Sequence, residues 1–164
     1  MNETYQSIID KHEPLLEELE EAVILHKLKK IEVQAQETIK DVDSLIEYWC
    51  KYYAVDRERL EGKSRIHELK VARYMVFWML RNKIIRNNLS LVVIGKLFNR
   101  DHSTVVHGCN AVNDWIVFDQ QQRQDLMTAL NEFGYRADWD PKEHKLSWIK
   151  AGELYEQQGK LKTF

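Results

Sequence analysis

Residues 90–107 read SLVVIGKLFNRDHSTVVH, a short apolar segment and a second one separated by a polar break. Ser90 is of the residue type that caps helix N-termini, and it predicts a short helix over residues 91–98. The break predicts a tight turn, after which Asp101 or Ser103 starts a second, longer helix. A short helix, a tight turn and a longer helix with a polar start are the layout of a helix-turn-helix.

A basic segment of the chain lies between two acidic ones. Residues 57–100 carry eleven Lys and Arg against three acidic residues, a net charge of +8. Residues 1–56 carry a net charge of −7 and residues 101–164 one of −3, so the formal total is only −2. A basic segment of this kind is typical of a protein that binds a polyanion, but a solvated basic helix face has the same composition. Charge alone leaves both interpretations open.

The N-terminal residues 1–44 are predicted to be a helical extension. Two series of positions seven residues apart are apolar at seven of eight sites: Leu25, Glu32, Ile39 and Ile46 in one, Leu28, Ala35, Val42 and Trp49 in the other. This seam predicts either a coiled-coil dimer or a long helix packed on its own domain. We favour packing, because the seam is short and contains Glu32.

The C-terminal residues 119–164 are predicted to be a second helical extension. A helix is expected up to Phe133, with Gly134 as its stop. Residues 138–141 predict a turn and a new helix start, and residues 146–157 a last amphipathic helix. Only two Pro and six Gly interrupt the whole chain, so these segments together predict an all-α protein.

Composition argues against several other classes of protein. Cys50 and Cys109 lie far apart and form no metal-binding motif, so we interpret them as core thiols in a reducing cytoplasm. The N-terminus lacks the basic and apolar regions of a secretory signal. No uncharged apolar stretch approaches the roughly 20 residues of a membrane span. We therefore expect a cytoplasmic protein that binds neither a membrane nor a metal ion.

The first turn of the second helix carries polar side chains suited to the major groove of DNA. Asp101 can accept a hydrogen bond from a cytosine amino group, and His102 can donate or accept at a purine N7 or a phosphate. Thr104 can contact a base edge or a thymine methyl group. Asp101 and Ser103 are also common helix caps, so capping alone remains an alternative.

Residues 100–107, RDHSTVVH, resemble the R-D-H-[ST]-T-V-x-H run in the C-terminal DNA-binding domain (domain IV) of the bacterial replication initiator DnaA. The upstream order matches as well, in Lys63-Ser64-Arg65, Ala72-Arg73, Ser90-Leu91 and Ile94-Gly95. The resemblance covers about residues 45–117. It implies a Trp repressor-like, all-α helix-turn-helix domain over residues 45–118.

The resemblance also implies roles for individual residues. Arg65 matches the arginine that enters the narrow minor groove at the A·T-rich end of the DnaA box. The residues that match major-groove readers are Asp101, His102, Ser103 and Thr104. Those that match positions near the phosphate backbone, where contacts position the domain without reading sequence, are Lys63, Arg73 and Arg81. We also expect Arg100 to contact the backbone.

The sequence departs from the family pattern in several places. Ser103 replaces the more usual Thr, and the turn at residues 98–100 lacks the family's Gly-Gly. Family members also carry an ATPase domain, for which we expect no room in 164 residues. Residues 62–64, GKS, do not complete a phosphate-binding loop, because Arg57 stands where that motif needs glycine. We therefore expect no nucleotide, no other cofactor and no enzymatic activity.

The sequence as a whole predicts a nucleoid-associated protein that binds double-stranded DNA at a DnaA-box-like site, in replication control or transcription regulation. Its N-terminal helix is a candidate surface for a homodimer or for a protein partner. The alternative is a helical protein-interaction module whose DNA-binding core is degenerate.

Overall fold

The computed structural model describes the backbone of residues 5–85 and 89–151, and the side chains of residues 13–85 and 89–151. The elements in this part are α1 (Tyr5–Tyr52), α2 (Arg57–Glu61), α3 (His67–Arg81), α4 (Leu91–Leu97), α5 (His102–Phe118), α6 (Gln120–Glu132), β1 (Tyr135–Asp140) and β2 (Lys145–Lys150). The predicted all-α class is confirmed, with a small two-stranded sheet added to it. Over the same residues, no helix combines the length and the apolar character that crossing a bilayer demands.

The chain divides into two compact units, residues 1–40 and 41–164. In the first unit the α1 side chains of residues 13–37 are exposed, and three positions of the predicted seam are 54% to 60% exposed: Leu25, Leu28 and Ile39. In the second unit three further seam positions are buried: Val42, Ile46 and Trp49. Packing on the chain's own domain is thus confirmed for this last part of the seam. The three predicted domain boundaries stay predictions.

Helix α3 lies at the centre of the second unit. Every residue from Val71 to Leu80 is buried, Arg73 included. A helix buried on all sides needs neighbours all round it, and α2, α4 and α5 each contact it. Gly108 of α5 allows a close approach, because a Cβ at that position would lie 2.8 Å from Cδ1 of Tyr74. This packing fixes α5 on α3.

The end of α1 and the start of α6 meet at a buried carboxylate. The hydroxyls of Tyr52 and Tyr53 donate to the two carboxylate oxygens of Asp125, at 2.8 Å and 2.9 Å. Gln121 donates to the same carboxylate at 2.7 Å, and Asp125 is only 4% exposed. Its buried oxygens are therefore satisfied by neutral donors. Burial and the hydrogen bond to Asp125 raise the pKa of Tyr52 to about 12.

The predicted last helix is wrong for residues 146–150, and no new helix starts at residues 138–141. Gly134 does stop α6, with a φ of +82°, but β1 and β2 then form an antiparallel hairpin. The register pairs Tyr135 with Lys150 and Asp140 with Lys145. Alternate side chains of the hairpin face inward: Tyr135, Ala137, Trp139, Leu146 and Trp148. This alternation with a period of two is typical of a strand, and the prediction of a helix overlooked it. Residues 152–157 of the predicted helix lie outside the described residues.

Leu146 makes the hairpin part of the core, because its side chain is 7% exposed. We expect Leu146→Ala to lower the free energy of unfolding by about 2 kcal/mol, since the lost side chain leaves a cavity. Denaturant unfolding followed by tryptophan fluorescence measures this change. Ile149→Ala is the matched control on the same strand, 41% exposed, and should change stability by less than about 0.5 kcal/mol. Equal losses would instead favour a helix, in which residues 146 and 149 share a face.

Candidate nucleic-acid interface

Helices α4 and α5 form the predicted helix-turn-helix. The Ser90 hydroxyl caps α4 by accepting a hydrogen bond from a backbone N–H three residues on, at 3.3 Å. The turn is closed by the backbone N–H of Arg100, which donates to the carbonyl of Gly95 at 2.8 Å. Helix α5 follows at once, beginning at His102. The order and the lengths of these elements confirm the prediction from residues 90–107.

Two residues, Gly95 and Asn99, allow the turn to be this tight. Asn99 has a φ of +50°, in the left-handed region that glycine favours and asparagine tolerates. The turn therefore forms without a Gly-Gly pair at residues 98–100. Gly95 is buried, and a Cβ there would lie 2.5 Å from the carbonyl oxygen of Arg100 and 3.2 Å from the carbonyl carbon of Asp101. Both neighbours are backbone atoms that no change of rotamer can move. Gly95 therefore lets α4 touch the start of α5.

The four residues predicted to read bases from α5 lie in or next to its first turn. Asp101, His102 and Ser103 are exposed, and Thr104 is partly buried. Asp101 has the extended backbone of a capping residue, but its carboxylate makes no capping hydrogen bond. The carboxylate is therefore available to another donor, which favours the base-reading interpretation over capping alone.

The loop between α2 and α3 is attached to the helix-turn-helix. This loop, residues 62–66, carries exposed Lys63 and exposed Arg65. Arg100 donates from Nη2 to the carbonyl of Gly62 at 2.9 Å, so the turn and the loop are joined by a direct hydrogen bond. An open cleft of about 520 Å³ lies between them, lined by Lys63, Lys96, Asn99, Arg100, Asp101 and Thr104.

Arg73 does not lie where a phosphate contact requires it. Its side chain is buried, with the whole residue 3% exposed. The guanidinium donates to four backbone carbonyls: Nε to Leu60 at 2.8 Å, Nη2 to Gly62 at 2.9 Å, Nη1 to Ser64 at 3.2 Å and Nη2 to Arg59 at 3.4 Å. Burial, and then the nearby charge of Arg100, lower the pKa of Arg73. The predicted phosphate contact is therefore corrected, because Arg73 holds the 62–66 loop from its inner side.

Two other basic residues also depart from a simple charge count. Arg81 is exposed at the end of α3 and does not line the cleft. Its charge acts on the thiol of Cys109: burial raises the pKa of this thiol, and the charge of Arg81 opposes that rise. Arg57 forms ion pairs with Asp43 and Glu61. The eleven Lys and Arg of residues 57–100 are therefore not all free cations that face the solvent, as a simple charge count assumes.

The sequence interpretation missed two residues of the cleft, Lys96 and Asn99. Both are exposed polar residues within five positions of Asp101, and their place beside the turn was the signal that could have found them. Lys96 joins Lys63 and Arg100 in a basic wall of the cleft next to the start of α5, where the helix dipole also favours an anion. Among the described side chains, no three His, Cys, Asp or Glu are grouped as metal ligands.

Comparisons with known proteins agree with this geometry. Residues 42–112 match the sequence model of a family described as the bacterial dnaA protein helix-turn-helix. The chain is 38% identical over 96 residues to the chromosomal replication initiator protein DnaA of Oleidesulfovibrio alaskensis, a match covering 58% of this chain and 20% of the relative.

Two further relatives carry the same description. The protein of Herpetosiphon aurantiacus is 32% identical over 91 residues, 55% of this chain and 18% of the relative. DnaA 1 of Chlamydia trachomatis is 31% identical over 105 residues, 63% of this chain and 22% of the relative. This chain thus spans about a fifth of the length of the curated relatives that it matches.

Proposed function

We propose that this chain, whose residues 42–112 match the sequence model of the bacterial dnaA protein helix-turn-helix, binds double-stranded DNA at a DnaA-box-like site. The observation that carries the proposal is the first turn of α5. It presents exposed polar side chains beside a basic cleft, together with the carboxylate of Asp101, which makes no capping hydrogen bond. A helix start of this kind fits the major groove, where phosphates flank the base edges.

Sequence is read from two grooves in this proposal. Base edges in the major groove are contacted by the residues at the start of α5, which are Asp101, His102, Ser103 and Thr104. Arg65 enters the adjacent minor groove, whose narrow A·T-rich form concentrates negative potential. The hydrogen bond from Arg100 to Gly62 supports this arrangement, because it couples the loop that carries Arg65 to the helix-turn-helix.

Phosphate contacts come from the exposed basic residues in this proposal. Lys63, Lys96 and the remaining donors of Arg100 line the cleft and contact one strand of the backbone there. Arg81 contacts the backbone elsewhere. Arg73 contributes indirectly, by holding the loop. Such contacts supply affinity that depends on salt and is the same for every sequence.

The biological role that fits is binding without catalysis, in replication control or in transcription regulation, by a protein of the nucleoid. The relatives are named as replication initiators, and this chain corresponds to only about a fifth of them. The exposed N-terminal part of α1 supports an added protein contact, with a second copy or another partner.

Replacement of Asp101 tests the proposed reading of bases. In gel shifts with a DnaA-box duplex and a scrambled duplex, we expect Asp101→Ala to lose about tenfold or more in preference for the box, the value of one good base contact. Lys63→Ala is the contrasting variant. It should weaken binding to both duplexes alike and reduce the salt dependence by about one ion.

The unmutated chain decides between the two functions. Equal affinity for both duplexes at physiological salt would sink sequence-specific reading and favour the protein-interaction module with a degenerate core. Selection of duplexes from a random pool then shows whether any other sequence is preferred.

A further inference from the structure

The N-terminal part of α1 has a mirror pattern of charge about the bond between Val23 and Ile24. Residues 16–23 read LEELEEAV, and residues 31 back to 24 read IKKLKHLI. Each Glu in the first half corresponds to a Lys or His in the second, and each apolar residue to an apolar one. All of these side chains are exposed.

The opposite charges of the two halves cannot neutralise each other within one helix. Ion pairs along a helix join residues three or four apart, whereas the nearest opposite charges of the two halves, Glu21 and Lys27, are six apart. The spacings of three and four instead join like charges, as between Glu17 and Glu21 or between Lys27 and Lys30. Among the described side chains, no ion pair involves the charged residues of this segment. A partner helix that brings the opposite charges next to each half would compensate them.

One face of this segment combines the apolar residues with one charge of each sign. Helical spacing places six residues on it: Leu16, Glu20, Val23, Ile24, Lys27 and Ile31. The four apolar side chains are 50% to 61% exposed. A shallow groove of about 300 Å³ lies along the same part of the helix, lined by Leu16, Leu19, Glu20, Val23 and Ile24. This apolar face lacks a cover within residues 13–40.

We propose that a second copy of this chain covers this face, with the two α1 segments antiparallel and the twofold axis between Val23 and Ile24. Glu20 of each helix then lies opposite Lys27 of the other, and the central apolar residues meet at the axis. A parallel pair would place Glu20 against Glu20 and Lys27 against Lys27, so charge selects the antiparallel pair. Apolar burial supplies the affinity. The dimer does not rest on the proposed DNA binding.

Sedimentation equilibrium of the full chain, without DNA, tests the proposal. We expect the unmutated chain to dimerise, and Glu20→Lys to weaken the dimer by about tenfold, because both Glu20–Lys27 contacts become repulsive. Lys27→Glu should act alike. The double variant Glu20→Lys/Lys27→Glu should restore the original dissociation constant.

Matched controls lie on the opposite side of the same helix. Glu18→Lys and Lys29→Glu make the same charge changes there and should leave the dissociation constant unchanged, with equal helix content by circular dichroism. A chain that stays monomeric at every concentration would overturn the proposal. So would single reversals at residues 20 and 27 without effect, the result of a parallel pair, or controls that weaken the dimer equally.

Discussion

The variant Arg73→Ala is expected to lose about 3 kcal/mol or more of the free energy of unfolding. The guanidinium satisfies the carbonyls of Leu60, Gly62 and Ser64 from a buried position. Alanine leaves these acceptors unpaired and opens a cavity, and each unpaired buried group costs about 1–3 kcal/mol. Native domains are stable by only about 5–15 kcal/mol, so a large share of the total is lost. Denaturant unfolding measures the change.

The same variant is expected to lose affinity for box and scrambled DNA alike, since Lys63 and Arg65 are no longer held in place. Arg73→Lys keeps the charge, but a single ammonium cannot reproduce the planar fork of donors of a guanidinium. The stability of this variant should therefore fall between that of the unmutated chain and that of Arg73→Ala. Lys63→Ala is the control, an exposed cation of the same loop that should change stability by less than about 0.5 kcal/mol. A stable Arg73→Ala that only binds DNA more weakly would restore the phosphate contact.

The helix-turn-helix could be predicted because its signals are local. Ser90 caps α4, the polar break closes a turn, and the polar start of α5 follows within four residues. Each of these depends on neighbouring residues of the chain, so a single sequence contains them. The left-handed Asn99 belongs to the same class, since asparagine is one of the few residues that tolerates this conformation.

Arg73 could not be placed from sequence, because its role depends on contacts with backbone carbonyls of α2 and of the following loop, nine to fourteen residues earlier. An arginine in a basic segment is ordinarily solvated or bound to an anion, and only the folded chain shows that Gly62 and Ser64 turn their carbonyls toward it. The cleft is a further case. Lys63 and Lys96 are 33 positions apart, and only the folded chain brings them to one cleft, where Arg100 also donates a hydrogen bond to Gly62.

The hairpin was missed for a different reason. Residues 135–140 alternate in burial, but Pro141 follows them and is common at helix starts as well as in turns. The choice depends on Asp140, whose carboxylate accepts from the backbone N–H of Lys142 at 2.8 Å and fixes the turn. Pro141 was interpreted as a helix start, although it lies in a turn, and the alternation of residues 135–140 was not used.

Gly95→Ala is expected to destabilise the domain by about 2 kcal/mol or more, against the trend of helix propensity. Alanine in a helix interior is ordinarily better than glycine by about 1 kcal/mol. At this position, however, the added Cβ would lie 2.5 Å from the carbonyl oxygen of Arg100, and overpacking of this kind costs about 1–3 kcal/mol and occasionally more. The steric cost exceeds the gain in propensity because both sides of the contact are backbone. Relief requires the turn to open, which displaces the start of α5.

Loss of box preference should therefore accompany the loss of stability, even at a temperature where the variant is folded. Gly134→Ala is the matched replacement at a site where a Cβ meets nothing within 4 Å; its φ of +82° costs about 1–2 kcal/mol, and DNA binding should be unchanged. Thermal unfolding and gel shifts on both variants separate the effects. A Gly95→Ala chain as stable as the original would show that α4 and the start of α5 are not in contact, and the tight helix-turn-helix geometry would have to be abandoned.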